Sequence, residues 1–329
     1  CIFGKNSGHG VDMESSIFDD FEAFSASVRD VDATMMLNNP VHRSWRIEQA
    51  RIDGLDLQLG RLGSGNILEG QSWSNGLLLY LPLTPSVHYL ANGRPLSQNH
   101  VMVLEPACEF RLATTSPHDW CSIFVPLNKV EYLGLPPRNS AARSYFEVPQ
   151  CRSIVTGDQV AIEFHSIVRE ILSASAKAPQ FESSPGANAA KDQVLRVARR
   201  VLAQPEASPS EQRGRPKASR HEVLSRCGAV IERRRGKPVG LRDLTAAAGV
   251  SERTLRTVFN ESFGVAPDRY LQLRQLHELR TRLRYADPDT TLVANLMADC
   301  GIWQFGRCAQ RYRALFGELP SQTLRHNRC

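Results

Sequence analysis

The sequence of 329 residues predicts an α+β protein, in which a small antiparallel β-barrel or sandwich with following helices precedes an all-helical C-terminal domain. Three observations predict this fold class. Residues 45–126 carry short apolar runs broken by Gly, Pro and Asn, which is typical of strands. Apolar residues recur with helical spacing after residue 158. The charge also changes sign, because residues 1–212 hold 18 Lys and Arg against 23 Asp and Glu, whereas residues 213–329 hold 22 against 11.

The strands of the N-terminal part are predicted from short segments. Residues 77–81 read Leu-Leu-Leu-Tyr-Leu and indicate a buried strand. The dipeptide Asn92-Gly93 accepts the positive φ angles of a tight turn, so a β-hairpin is expected there, with residues 101–103 as its returning side. Residues 110–112 and 120–125 supply two further strands.

Two amphipathic helices are expected after the strands, at residues 158–176 and 189–202. Each carries one apolar stripe, which packs on the barrel or pairs across a dimer. We expect residues 13–204 to form a homodimer through these stripes.

The domain boundaries follow from composition. Residues 1–12 precede Met13 in a chain that opens with Cys1, and they are interpreted as a tag or an upstream extension. Residues 13–204 form the β-rich domain with its helices. Residues 205–219 are rich in Pro, Ser and charge without periodicity, which indicates a linker. Residues 220–329 form the helical domain.

Several classes of protein lose support from the sequence. The eight cysteines form no CxxC pair and are too few for a disulfide scaffold. No run of about 18 apolar residues exists, so a cytoplasmic protein without a membrane span is expected. The histidines of the barrel region are isolated, without HxH or HExxH, and neither GxSxG nor GxxxxGK occurs. The sequence therefore predicts no enzyme activity, no bound metal and no cofactor.

Residues 241–259 have the layout of a helix-turn-helix. Small residues at 246–248 allow a second helix to cross closely, Gly249 suits the turn, and the Ser251 hydroxyl can cap the next helix. An apolar set including Leu255 and Phe259 faces inward. The outward face then consists of Glu252, Arg253, Arg256, Thr257 and Asn260, a set suited to base edges and phosphates in a major groove.

The same pattern recurs further along the chain. A predicted helix at 268–284 follows Pro267 and ends at 287–289. A second unit has helices at 290–298 and 303–316 around Gly301, which lies 52 residues after Gly249. The ending Phe-Gly-x-x-Pro of residues 263–267 returns at residues 316–320. The domain is thus an internal duplication. Its connecting helix of 17 residues spans about 26 Å, while successive major grooves lie about 34 Å apart.

These residues resemble a known family. Residues 221–326, and most closely the stretch from Cys300-Gly301-Ile302-Trp303 to Leu324-Arg325, are similar to the double helix-turn-helix domain of the AraC/XylS family of bacterial transcription regulators. The N-terminal part resembles that family's cupin-like effector or dimerisation domain. Ile302 and Cys308 stand where family members usually carry Phe, and Met297 where they carry Ala, which indicates a looser second core.

The resemblance implies DNA-binding roles for particular residues. The implied set is Ser251, Arg253, Arg256, Thr257 and Asn260 in the first unit and Gln304, Phe305, Arg307, Gln310 and Arg311 in the second. Basic residues just before the first unit and at its start are interpreted as phosphate anchors, namely Arg233, Arg234, Arg235, Lys237 and Arg242. An apolar effector pocket, for which ordinary core is the competing interpretation, is assigned to Trp73, Tyr80, Tyr89, Phe110 and Trp120.

The expected function is therefore a sequence-specific DNA-binding transcription regulator. The family implies an effector-responsive activator of a catabolic or metabolic operon that binds promoter DNA and RNA polymerase. Two alternatives stay open: a barrel enzyme tethered to DNA, and a constitutive DNA-binding protein without a small-molecule ligand.

Overall fold

A computed structural model describes residues 14–85, 87–134, 151–178, 181, 184–206, 219–234 and 237–326. The extension at residues 1–12, the anchor Arg235 and nearly all of the linker lie outside the described residues. Within the described parts, one helix ends at Leu202 and the next begins at Arg220.

The N-terminal domain is a nearly closed antiparallel barrel, as the sequence predicts. The described residues contain ten strands: β1 (Glu14–Phe18), β2 (Val31–Ile52), β3 (Leu55–Ser72), β4 (Gly76–Pro82), β5 (Tyr89–Ala91), β6 (Arg94–Leu96), β7 (His100–Leu104), β8 (Glu109–Ala113), β9 (His118–Pro126) and β10 (Cys151–Val155). Their main order in the sheet is β10-β7-β4-β9-β3-β8-β5-β6, and β2 pairs with both β3 and β1.

The long strand β3 closes the barrel because it changes partners along its length. Its residues 56–62 pair with β9, and its residues 67–71 pair with β8. Glycines allow the bend between these two stretches. A Cβ on Gly63 would lie 2.2 Å from the carbonyl oxygen of His42, so no side chain fits there.

Three details of the predicted barrel are wrong. Strands begin at residue 14 rather than near 45, and the first two are separated by helix α1 (Phe21–Ser27). The pattern of β2 is hidden because its register shifts around Pro40 and residues 41–44 are exposed. The turn at Asn92-Gly93 has the expected positive φ angles, 49° and 77°, but its returning strand is β6. Strand β7 instead pairs with β4 and β10.

Helices α2 (Asp158–Lys177) and α3 (Pro185–Leu202) cover one face of the barrel. Their apolar stripes, including Phe164, Val168 and Val194, are buried in one cluster with β3, β4, β7 and β9. The stripes therefore pack on the barrel, and they give no support to the expected dimer. Homodimerisation stays a prediction.

The C-terminal domain is all helical. It contains α4 (Arg220–Arg233), α5 (Leu241–Ala248), α6 (Glu252–Phe263), α7 (Pro267–Tyr285), α8 (Val293–Asp299), α9 (Phe305–Phe316) and α10 (Pro320–Arg325). The duplicated order is as predicted, although α8 begins at Val293 rather than residue 290 and α9 at Phe305 rather than residue 303. No helix among the described residues is long and apolar enough to cross a membrane.

The barrel and the helical domain share one continuous hydrophobic cluster. Polar contacts accompany it along α7: the Tyr270 hydroxyl lies 2.5 Å from Glu69 of β3, and the Leu37 N–H of β2 donates to His277 Nε2 at 2.8 Å. Near the second unit, Arg43 of β2 donates to the carbonyl oxygen of Ala314 at 3.1 Å. The two helix-turn-helix units are thus both held against the barrel.

Candidate DNA interface

The first helix-turn-helix unit consists of α5 and α6. Gly249 ends α5 in the left-handed conformation, with φ of 66°, and its N–H donates to Thr245. Ser251 caps α6, because its hydroxyl accepts the N–H of Thr254 at 3.2 Å. The sequence predicted both features. Leu255 and Phe259 are fully buried, which fixes the rotation of α6 and turns its other face outward.

The outward face of α6 carries the predicted polar residues. Arg253, Thr257 and Asn260 are exposed. Arg256 is only half-exposed, because its guanidinium is 2.9 Å from Glu252 and 3.2 Å from Asp268 at the start of α7. The hydrogen bond that the guanidinium donates to the Glu252 carboxylate raises the pKa of Arg256, so this side chain stays charged. Arg253 therefore extends more freely than Arg256.

The second unit repeats this arrangement with α8 and α9. Gly301 has φ of 74°, and Gln304 occupies the N-cap position of α9. Cys308, Tyr312 and Leu315 face inward, and the Tyr312 hydroxyl is 2.7 Å from that of Thr323. The predicted outward residues of this unit are all exposed: Gln304, Phe305, Arg307, Gln310 and Arg311.

Helix α7 connects the units and is held by a buried charge. Arg280 is 7% exposed and donates to Glu22 at 2.8 Å, to Asp20 at 2.8 Å and to Glu318 at 2.7 Å. Burial alone would lower the pKa of Arg280, but the Glu22 carboxylate raises it above its usual value. Asp20 and Glu22 belong to the barrel domain and Glu318 to the second unit, so one guanidinium joins three parts of the chain.

The described phosphate anchors lie at the end of α4, at the start of α5 and in the segment between these helices. Arg233, Lys237 and Arg242 are exposed. Arg234 pairs with Asp243 at 2.7 Å. Asp243 in turn accepts the N–H of Gly240, which together with Arg234 lowers the pKa of this carboxyl group. The described anchors thus form a basic edge beside α5.

Comparisons with known proteins agree with this geometry. A helix-turn-helix domain family matches residues 244–326. Over 98 residues the chain is 36% identical to the "XylDLEGF operon transcriptional activator 1" of Pseudomonas putida, a match covering 30% of each protein. The C-terminal domain belongs to the AraC/XylS family. The match reaches less than a third of that relative's length, so it concerns this domain and not the barrel.

Solved structures of AraC-like proteins resemble the chain more distantly. The AraC-like transcriptional activator CuxR is 12% identical, with a TM-score of 0.42, and the similarity covers 87% of this chain and all of that one. A probable AraC family regulator from Rhodopseudomonas palustris is 30% identical, with a TM-score of 0.30, and covers 32% of this chain and 98% of its own.

The residues assigned to the effector pocket do not all meet. Tyr80, Phe110 and Trp120 line a cavity inside the barrel, and the Tyr80 and Trp120 rings stack at 5.7 Å. Tyr89 is buried elsewhere, with its hydroxyl donating to the Asp119 carbonyl oxygen at 2.7 Å. Trp73 lies in an outer groove and is 38% exposed.

The barrel cavity also contains a histidine. His118 is buried beside Thr114, and burial lowers its pKa to about 4, so the ring is neutral. Within the described residues, no three His, Cys, Asp or Glu side chains are grouped as metal ligands.

The docking residues and the inserted residue Trp303 were not predicted as functional from the sequence. The docking residues His277 and Arg280 have partners some 240 to 260 positions away, which no local pattern indicates. The insertion of Trp303, by contrast, could have been found from spacing within the sequence. The two turn glycines are 52 residues apart, whereas the two Phe-Gly-x-x-Pro endings are 53 apart, so the second unit has one extra residue between turn and ending.

Proposed function

We propose that this protein is a sequence-specific DNA-binding transcription regulator whose activity responds to a small molecule. The observation that carries the proposal is the pair of recognition helices, α6 and α9, presented on one connecting helix with their polar residues outward. Residues 213–329 add a net charge of +11, which favours a polyanion as partner. We further propose that the protein acts on promoter DNA in the cytoplasm of a bacterial cell.

The relatives' names suggest the direction of regulation. The matched Pseudomonas putida proteins are called operon transcriptional activators. By analogy, we propose that this chain activates a catabolic or metabolic operon and contacts RNA polymerase at the promoter.

DNA binding is tested with the full chain. A preferred site is selected from random duplexes, and binding to that site and to a scrambled duplex is measured by fluorescence anisotropy between 50 and 200 mM salt. We expect a preference of at least about 10³-fold and an affinity that falls steeply with salt. Equal binding to both duplexes would contradict sequence-specific recognition.

Two places in the structure fit an effector. In the barrel cavity, the hydroxyls of Tyr80 and Ser122 are buried without a hydrogen-bond partner among the described residues, at a cost of about 1–3 kcal/mol each. The cavity's volume is about 30 Å³, enough for about two water molecules, so a larger ligand requires the side chains that line it to move.

The second place is a cleft between the barrel and helices α4, α6 and α7. Its volume is about 440 Å³, within the usual range of ligand sites, and Glu69, Phe110, Phe263 and Tyr270 are among its lining residues. A ligand in this cleft would touch both domains at once.

A thermal-shift screen of the full chain separates these places. Aromatic acids, amines and sugars are tested, since a ligand at 100 times its Kd stabilises by about 2.7 kcal/mol. A hit weakened by Tyr80→Phe but not by Tyr270→Phe would assign the barrel cavity, and the reverse would assign the cleft. DNA binding that no compound alters would contradict the effector part of the proposal.

A further inference from the structure

The two recognition helices are built on the same register. Helices α6 and α9 each have 12 residues, and adding 53 to a residue of α6 gives its counterpart in α9. Leu255 corresponds to Cys308 and Phe259 to Tyr312, and all four side chains are buried. The N-cap residues Ser251 and Gln304 correspond as well.

The turns before these helices differ in length. One residue, Val250, separates Gly249 from the N-cap of α6, whereas Ile302 and Trp303 separate Gly301 from the N-cap of α9. Val250 and Ile302 both pack against the hydrophobic cluster. Trp303 is therefore the inserted residue, and it is 71% exposed.

A second aromatic residue lies beside the insertion. Phe305 is the first residue of α9 and is 41% exposed, and its counterpart in α6 is Glu252. The second recognition helix thus begins with an exposed Phe just after an exposed Trp, where the first begins with a carboxylate and has no inserted residue. Exposing two large aromatic rings in water is unfavourable unless a partner covers them.

The charge around this aromatic pair identifies the partner's chemistry. Helix α9 contains Arg307, Arg311 and Arg313 and no Asp or Glu. Arg307 and Arg311 also line a groove with Trp303 between α9 and α7. A partner must therefore combine a dense negative charge with small apolar groups. The major groove of duplex DNA does so, because phosphates flank the C5-methyl groups of thymine.

We propose that Trp303 and Phe305 are specificity-determining residues that recognise thymine methyl groups in the half-site of the second unit. This inference rests on the proposed DNA binding. Arg307 and Arg311 hold the neighbouring phosphates, while the aromatic rings cover one or two methyl groups. The first unit, whose corresponding face is polar, has no such preference for methyl groups.

The experiment replaces single thymines of the selected site by deoxyuridine, which removes only the C5-methyl group. With the full chain, we expect one or two positions in one half-site to lose about 3- to 5-fold in affinity each. Trp303→Ala and Phe305→Ala should bind thymine and deoxyuridine duplexes equally at those positions. Tyr132→Ala, which removes an exposed aromatic ring of the barrel domain, is the matched control. It should lose as much affinity as the unchanged protein when thymine is replaced by deoxyuridine.

Conservative variants control for misfolding of the Ala variants. Trp303→Leu and Phe305→Leu keep an apolar side chain and should keep most of the deoxyuridine penalty. Methyl recognition is overturned, while DNA binding stands, if a selected site is bound tightly but no thymine responds to the replacement. The same holds if the loss of affinity survives in a variant that carries both Trp303→Ala and Phe305→Ala. If no site can be selected at all, the proposed function itself fails. Loss of transcription activation in the Ala variants with an unchanged deoxyuridine penalty would assign the aromatic pair to a protein partner and overturn the proposal.

Discussion

In the first helix-turn-helix unit, α6 begins at a serine cap and a glutamate that pairs with Arg256; in the second, α9 begins after an inserted tryptophan with a phenylalanine. The inward faces correspond residue by residue, but the outward faces differ in chemistry. Duplication preserved the packing that holds each helix while the groups that meet the solvent diverged. Two units of one fold can therefore recognise different features of one DNA site.

The first prediction tests whether the two cores are equally important. Leu255 and Cys308 occupy corresponding buried positions. We expect Leu255→Ala to lower the free energy of unfolding by about 2–5 kcal/mol, because a leucine leaves a large cavity. Cys308→Ala removes one sulfur atom and should cost about 1 kcal/mol or less. Urea denaturation of the full chain measures both. Equal losses would mean that the second core is packed as tightly as the first.

The second prediction concerns the charge that fixes the second unit to the barrel. We expect Arg280→Ala to cost about 3 kcal/mol, because it leaves the carboxylates of Asp20, Glu22 and Glu318 without their buried partner. Arg284→Ala is the matched control: Arg284 pairs with the same Asp20 but is 39% exposed, so about 0–1 kcal/mol is expected. Similar losses in the two variants would show that Arg280 has no special role.

The comparison also explains what the sequence could predict. Helices α5 to α9 follow from apolar periodicity and from turn glycines and prolines, which act within a few residues. The start of β2 could not be predicted because its burial depends on pairing with β3. The docking of α7 could not be predicted either, because Arg280 has the sequence context of a surface residue and its partner Asp20 is 260 positions away. Of the recognition faces, the residue types could be predicted from the sequence, whereas the second carboxylate partner of Arg256, Asp268, comes from the next helix and could not.

The third prediction distinguishes base recognition from phosphate contact in the first unit. Arg253 and Arg256 are three residues apart and lie on one side of α6. Arg256→Ala should weaken binding to the selected site by about 1–3 kcal/mol more than binding to a scrambled duplex, if it pairs with guanine. Replacing Arg233, Arg234 and Arg235 together by Ala should weaken both equally and flatten the salt slope by up to about 3.

A modified base sharpens this prediction. 7-Deazaguanine lacks the N7 acceptor that an arginine uses, so replacing a guanine by it in the half-site of the first unit should lower the affinity. This loss of affinity should disappear in Arg256→Ala. Arg253→Ala is the comparison variant, because its side chain has the same charge without the two carboxylate partners. An unchanged specificity ratio in both variants would place the wrong face of α6 against the DNA.

The smallest expected effect is a pH dependence confined to the second unit. His277 of α7 lies between Leu37 of the barrel and the Phe316 ring of α9, 5.0 Å away. Burial and the nearby Arg280 lower its pKa to about 4, although Glu22 is 3.8 Å from Nδ1. The neutral ring accepts the Leu37 N–H through Nε2, so protonation would break this contact.

The sign of this effect follows from linkage. The pKa of His277 is about 4 in the folded protein and 6.5 in the unfolded chain, so the unfolded chain binds more protons below pH 6.5 and stability falls as the pH decreases from 6.5 towards 4. From pH 7.5 to pH 6 the loss due to His277 is about 0.8 kcal/mol. His277→Gln keeps an acceptor without a titrating ring and should remove this part of the dependence. Hydrogen exchange should show faster opening at α9 than at α6 on acidification, because α6 docks through Phe259, Phe263 and Tyr270, which do not titrate in this range. Equal acceleration at both helices would mean that the two units are released together, and that the difference between their docking surfaces has no energetic consequence.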